Sequence, residues 1–147
     1  MRKLLTILFT IATFLFSPVF AEDSSEPNNT KEQSLSIRLG KKITASIHPK
    51  GDQDWYKLIV PKGATGRVVV DLTIQTKDYC PHVIIYDGEG KEIASHKRPE
   101  GEPIRVGRHL TSKGAFYIQV RDSNKGKGEH GYRGEWDNRA STEPYTL

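Results

Sequence analysis

The chain has 147 residues, a formal net charge of +4, 35% hydrophobic and 9% aromatic residues, and one cysteine. A domain of this size buries roughly 65% of the surface its unfolded form exposes, and the lone Cys80 excludes a disulfide framework within one chain. Setting aside Arg2 and Lys3, which read as part of a leader, 20 basic residues face 18 acidic ones, and that near balance excludes the strong cationic field of a nucleic-acid binder.

In chain order, Arg2 and Lys3 form a basic n-region, Leu4 to Phe16 is an apolar run too short to span a bilayer, and Val19-Phe20-Ala21 offers a small-x-small cleavage site. Residues 1–21 are therefore expected to be a secretory signal. No lipid-attachment cysteine follows it. The expected product is secreted or periplasmic, with no stable membrane insertion after cleavage. Residues 22–33 are polar and read as an N-terminal linker, leaving 34–147 as the folded domain.

From there the apolar pattern has period two. Leu35, Ile37 and Leu39 alternate with polar neighbours, as do Ile43, Ala45 and Ile47. Inward positions continue at Tyr56, Leu58 and Val60, at Val68, Val70, Leu72 and Ile74, at Val83 and Ile85, at Ile104, Val106 and Leu110, and at Phe116, Ile118 and Val120. Turn signals separate these runs: Pro49-Lys50-Gly51, Pro61-Lys62-Gly63, Asp87-Gly88-Glu89-Gly90, Pro99-Glu100-Gly101 and Ser112-Lys113-Gly114. Gly88 and Gly90 are expected at positive φ in a hairpin turn. With Tyr145 to Leu147 as a closing strand, the pattern predicts an all-β fold of about eight strands, an antiparallel β-sandwich or jelly roll. Asp122 to Thr142 exceeds what a hairpin needs and reads as a long loop holding Tyr132 and Trp136.

Five segments together resemble the bacterial prepeptidase C-terminal domain: Glu26-Pro27-Asn28-Asn29, Gly51-Asp52-Gln53-Asp54-Trp55-Tyr56, Tyr86-Asp87-Gly88-Glu89-Gly90, the strand from Gly114 to Val120, and Tyr145-Thr146-Leu147. The resemblance spans nearly the whole domain and implies a β-sandwich of the kind attached to secreted peptidases. In the related modules of bacterial collagenases calcium lies between linker and turn; the matching residues here are Glu26, Asn28 and Asp54, followed by Asn29 and Asp52. The chain departs from that pattern at Ser24, where those modules carry an acid, and at Asn29, where they often carry aspartate. Both departures lower the ligand charge.

Two readings of this oxygen-rich set stand side by side. Calcium takes six to eight oxygens in flexible geometry, which Glu26, Asn28, Asn29, Asp52 and Asp54 begin to supply. Alternatively, Asn28 and Asp52 cap their own turns and Asp54 fixes the entry to a strand.

The aromatics divide in the same way. With Tyr56 inward, Trp55 points outward, and Tyr117 does so between Phe116 and Ile118. Trp55, Tyr86, Tyr117 and Trp136 form a candidate ligand-binding set for stacking on sugars or gripping side chains. An edge cover or a packed loop accounts equally for each alone.

Cys80 is expected to be a buried strand-end residue. His48, His82, His96, His109 and His130 show no metal-binding spacing, and no nucleophile elbow, phosphate loop or paired catalytic carboxylates occur. The expected function is a non-catalytic binding module for an extracellular or envelope polymer, protein or glycan. The alternative is an accessory protein assisting a separately encoded secreted partner.

Overall fold

The computed structural model describes residues 25–49, 51–77, 80–99, 101–109, 114–123 and 144–147. The signal segment, Leu110, Tyr132 and Trp136 lie outside these residues.

Among the described residues a 3-10 turn at Lys31–Gln33 precedes nine strands: β1 (Leu35–Ile37), β2 (Thr44–Ala45), β3 (Gln53–Ile59), β4 (Arg67–Ile74), β5 (Pro81–Tyr86), β6 (Glu92–Lys97), β7 (Ile104–His109), β8 (Ala115–Asp122) and β9 (Tyr145–Thr146). They form a five-stranded sheet ordered β1-β3-β8-β5-β6 and a four-stranded sheet ordered β2-β9-β4-β7. The core lies between them. It is built from Tyr56, Leu58, Val83, Ile85, Phe116, Ile118 and Val120 of the larger sheet and from Ala45, Val70, Leu72, Ile104 and Tyr145 of the smaller. These are the alternate positions that a pleated strand turns to one face, so the expected all-β sandwich is what the chain forms.

Four details differ from the sequence pattern. Glu92–Lys97 is an additional strand, β6, paired with β5 through a register shift at Ile85/Tyr86. That irregularity breaks the alternation that marks a strand in sequence. β1 runs parallel to β3, with Leu35 opposite Tyr56, whereas the remaining pairs are antiparallel. Leu39 faces solvent at 50% exposure, because β1 stops at Ile37 and a turn closed by Lys41 N–H on the Arg38 carbonyl follows. Of the two glycines in the β5–β6 turn, Gly90 takes φ +89 and Gly88 does not. There Asp87 Oδ1 accepts from the N–H groups of both Glu89 and Lys91.

Cys80 is half-buried rather than buried. Its segment is held by Asp122 and Ser123: the Cys80 N–H donates to Asp122 Oδ1 at 2.9 Å, and its carbonyl accepts from the Ser123 N–H at 2.8 Å.

The sheets are tied together by a buried chain of hydroxyls. Tyr145 OH donates to Asp54 Oδ2 at 2.5 Å, and the phenols of Tyr56 and Tyr145 meet at 2.5 Å. All three residues are fully buried. Because Tyr145 gives its proton to the carboxylate, Tyr56 is the donor in the phenol pair. Burial holds the Tyr145 hydroxyl well above its usual pKa, with the Asp54 charge and Tyr56 adding to the effect.

Substituting Tyr145→Phe removes a donor from a buried carboxylate and is expected to cost about 2 kcal/mol, whereas Tyr56→Phe removes a neutral contact and costs about 1 kcal/mol. Urea denaturation of the two variants checks the order; equal losses contradict it.

Candidate metal centre and aromatic face

The segment from Ser25 to Gln33 lies against the turn that opens β3. Both regions carry a cis proline bond, at Glu26–Pro27 and His48–Pro49. The Trp55 N–H donates to the Asn28 carbonyl at 2.8 Å, which stitches the segment to the strand one residue beyond Asp54. Asp52 closes its own turn, Oδ2 accepting from the His48 N–H at 2.8 Å and Oδ1 from the Gln53 N–H at 2.7 Å. Glu26 Oε2 accepts from the Asn28 N–H at 3.1 Å and from Asn29 Nδ2 at 3.0 Å.

Four of the five oxygen-bearing residues gather on this basis. Carboxylate oxygens of Glu26, Asp52 and Asp54 lie within 4.8 Å of one another. Asp52 and Asp54 are buried, at 4% and 0% exposure, and Glu26 is exposed. Asn28 is fully buried beside them, yet neither its side-chain oxygen nor its nitrogen makes a hydrogen bond. A buried carboxamide without partners costs about 1–3 kcal/mol, so this site carries a polar group that the protein alone leaves unsatisfied. Three mutually repelling carboxylates and a carboxamide oxygen are the donor chemistry of a hard divalent cation, and the residues fit such an ion. Asn29 differs from the rest: it is exposed and turns its amide nitrogen toward Glu26, in the manner of a positioning contact. Turn capping by Asp52 coexists with this arrangement, since each carboxylate oxygen has a second lone pair.

The outward face of the larger sheet holds the aromatics. Register places Trp55 opposite Gln119, with Ile84 on that residue's other side, and Tyr86 opposite Tyr117. Trp55 and Tyr86 reach across β8 and stack, with ring centroids 5.2 Å apart and planes at 24°. Gln119 lies beneath them at 3% exposure. It accepts from Tyr86 OH at 2.9 Å and donates to Gln53 Oε1. Burial raises the Tyr86 phenol above its usual pKa, with Arg121 opposing the shift and Glu92 adding to it. Lys31 Nζ lies 4.6 Å from the Tyr117 ring centre and Lys57 Nζ 5.9 Å. Trp55, Tyr86 and Tyr117 thus form one half-exposed platform flanked by two cations. Trp136, the fourth aromatic singled out, lies outside the described residues.

Sequence reasoning missed Gln119, Lys31 and Tyr145 as supports of these sites. Outward alternation on β8 marks Gln119, but no local signal links residues so far apart in the chain.

Beside the platform, the row Gln53–Arg121–His82–Lys97 crosses four strands. Arg121 Nε donates to His82 Nδ1 at 3.2 Å, so His82 carries its proton on Nε2 and directs it to Ser95 Oγ at 2.8 Å. Burial lowers the His82 pKa to about 3, with Arg121 and Lys97 adding to the effect. The imidazole is therefore neutral in the fold. Below its unfolded value of 6.5 the unfolded chain takes up a proton that the fold refuses until about 3, so the stability present above 6.5 is lost progressively as pH falls through this window. In His82→Gln the decline in melting temperature between about pH 7 and pH 5 is expected to flatten relative to the parent; parallel profiles contradict the assignment.

No family model and no curated protein matches this chain. Among solved structures its fold is similar to that of the pre-peptidase C-terminal domain of a collagenase from Bacillus anthracis, with a TM-score of 0.54 and 16% identity, covering 81% of this chain and 96% of that one. The likeness is one of fold, and it agrees with the resemblance carried by the sequence motifs.

Proposed function

We propose that this protein is a non-catalytic binding module that acts outside the cytoplasm and grips an extracellular or envelope polymer on the Trp55–Tyr86–Tyr117 face. The single observation that carries this reading is the platform itself. Three aromatics from three different strands converge on one sheet face, held by Gln119 from below and flanked by Lys31 and Lys57. Aromatic anchors with fixed rotamers supply contact area at low ordering cost. The lysines favour a polymer that carries carboxylates, as polypeptides and acidic glycans do. The fold it shares with a domain of a collagenase supports a role as an accessory module. Among the described residues no helix is long and apolar enough to cross a membrane.

Retention of the mature protein on collagen, peptidoglycan, chitin and cellulose tests the reading. Trp55→Ala and Tyr86→Ala are each expected to weaken retention on the polymer that binds by about tenfold or more. Failure of the parent on every matrix contradicts the proposal.

Calcium belongs to the same reading. Glu26, Asn28, Asp52 and Asp54 would hold the ion, and its charge would offset the repulsion among three carboxylates while occupying the buried Asn28 oxygen. Since Trp55 follows Asp54 and donates to Asn28, the same residues fix the near edge of the platform. Calcium at a hundredfold excess over its dissociation constant is expected to add about 2.7 kcal/mol, a rise of several degrees in melting temperature. Glu26→Gln, an exposed change, should remove most of that rise. A melting temperature indifferent to millimolar calcium contradicts the assignment.

A further inference from the structure

Register sets Lys57 opposite Tyr117, Tyr117 opposite Tyr86 and Tyr86 opposite Glu92, one row across β3, β8, β5 and β6. Trp55 begins the next row, two residues before Lys57 on the same strand and face and about 7 Å along it. Lys31 comes to this row from the segment before β1. Its Nζ lies 4.6 Å from the Tyr117 ring centre and that of Lys57 lies 5.9 Å away, so one ring gathers two ammonium groups. Room for the first depends on a glycine, since a Cβ at Gly90 would meet Lys31 Nζ at 2.8 Å. Both lysines are half-buried, and among the described residues neither makes an ion pair. Like charges held this close draw an anionic group between them. The acid of the row, Glu92, stands at its far end beyond Tyr86.

We propose that the polymer taken by this face is an acidic polysaccharide built of uronic acids, with a ring carboxylate held between Lys31 and Lys57 and the sugar that bears it lying on the Trp55–Tyr86 pair. This rests on the reading of that face as the binding surface and narrows it. Tyr117 is then a positioning residue, whose ring fixes where the two ammonium groups stand. The short step from Trp55 to Lys57 favours a carboxylate attached directly to the stacked ring. In a uronic acid the flat apolar surface and the charge belong to one rigid unit, whereas in a polypeptide they sit on separate side chains that must each be ordered. Main-chain recognition is also closed to a polypeptide here. Strands β3, β8 and β5 each lie between two neighbours, so the ladder uses their N–H and C=O groups and leaves no edge for strand addition. The carboxamide of Gln119 beneath the rings is engaged by Tyr86 and Gln53. Aromatic surface and positive charge are what the face offers, and a uronic acid matches both. Arg121 lies in the row on the other side of Trp55, so a sugar chain running along the strands meets positive charge again, while Glu92 stays to one side of that path.

Titration calorimetry of the full chain with polygalacturonate and with alginate tests this. The methyl ester of each keeps the rings and masks the charge, and poly-L-glutamate keeps the charge without the rings. At least one polyuronate is expected to bind, with its ester and poly-L-glutamate about tenfold or more weaker. The preference for acid over ester is expected to vanish when Lys31→Gln and Lys57→Gln are combined and to survive the corresponding arginine pair. Tyr117→Leu should reduce the same preference, and Tyr117→Phe should keep it. Failure of both polyuronates, equal binding of acid and ester, or equal binding of poly-L-glutamate overturns the proposal, as does an acid preference that outlasts both lysines or the Tyr117 ring. Retention on collagen or chitin that Trp55→Ala weakens and the glutamine pair leaves unchanged overturns it too, while the polymer-binding reading stands. Failure on every matrix removes both.

Discussion

The structure depends on how the carboxylate of Asp54 is satisfied inside the sandwich. A buried charge costs several kcal/mol unless it is paired or well hydrogen-bonded, and Asp54 is fully buried. Tyr145 answers it from the opposite sheet, and Tyr56 supports Tyr145 in turn. One acidic residue near the start of β3 thereby fixes the position of β9, the shortest member of a four-stranded sheet together with β2. The second demand on that carboxylate comes from the cluster it forms with Glu26 and Asp52. Core and candidate cation site are therefore one electrostatic problem, and a change on either side alters the other.

Alternation along β3 carries this constraint to the surface. Asp54 and Tyr56 face inward, so Trp55 between them must face outward, and its backbone is already held by Asn28. The Trp55–Tyr86 stack, closed over a buried glutamine that bonds to both Tyr86 and Gln53, leaves the rings little freedom to lose on binding. Preorganisation of that kind favours recognition more than additional contact area does. Polar groups beneath an aromatic pair also favour one arrangement over slipped alternatives, since each shift breaks a buried hydrogen bond.

Much of this is legible in sequence where the physics is local. Period-two alternation identified the inward residues of β3, β4, β5 and β8, because a one-residue slip would expose an entire face. The oxygen-rich turns were visible because Asp and Asn beside Pro and Gly are turn chemistry. What escaped is what distance hides. Asp54 and Tyr145 lie 91 positions apart, and a tyrosine near the end of a pattern gives no sign of its partner. β6 escaped because its bulge and its small Ala94 and Ser95 blur the alternation. Leu39 misled because its spacing fits a strand that the turn at Arg38–Lys41 ends. His82 and Ile84 alternate with the inward Val83 and Ile85 and are buried all the same, on a strand flanked by β8 and β6.

The pinning of Tyr145 also explains how β9 can be so short. A two-residue strand makes too few ladder bonds to hold itself in a sheet, and here it is retained by a fully buried side chain anchored to a charge. Its position is thus secured by one side chain rather than by strand length. The shortness of the closing strand therefore follows from the buried hydrogen bond that Tyr145 gives to Asp54.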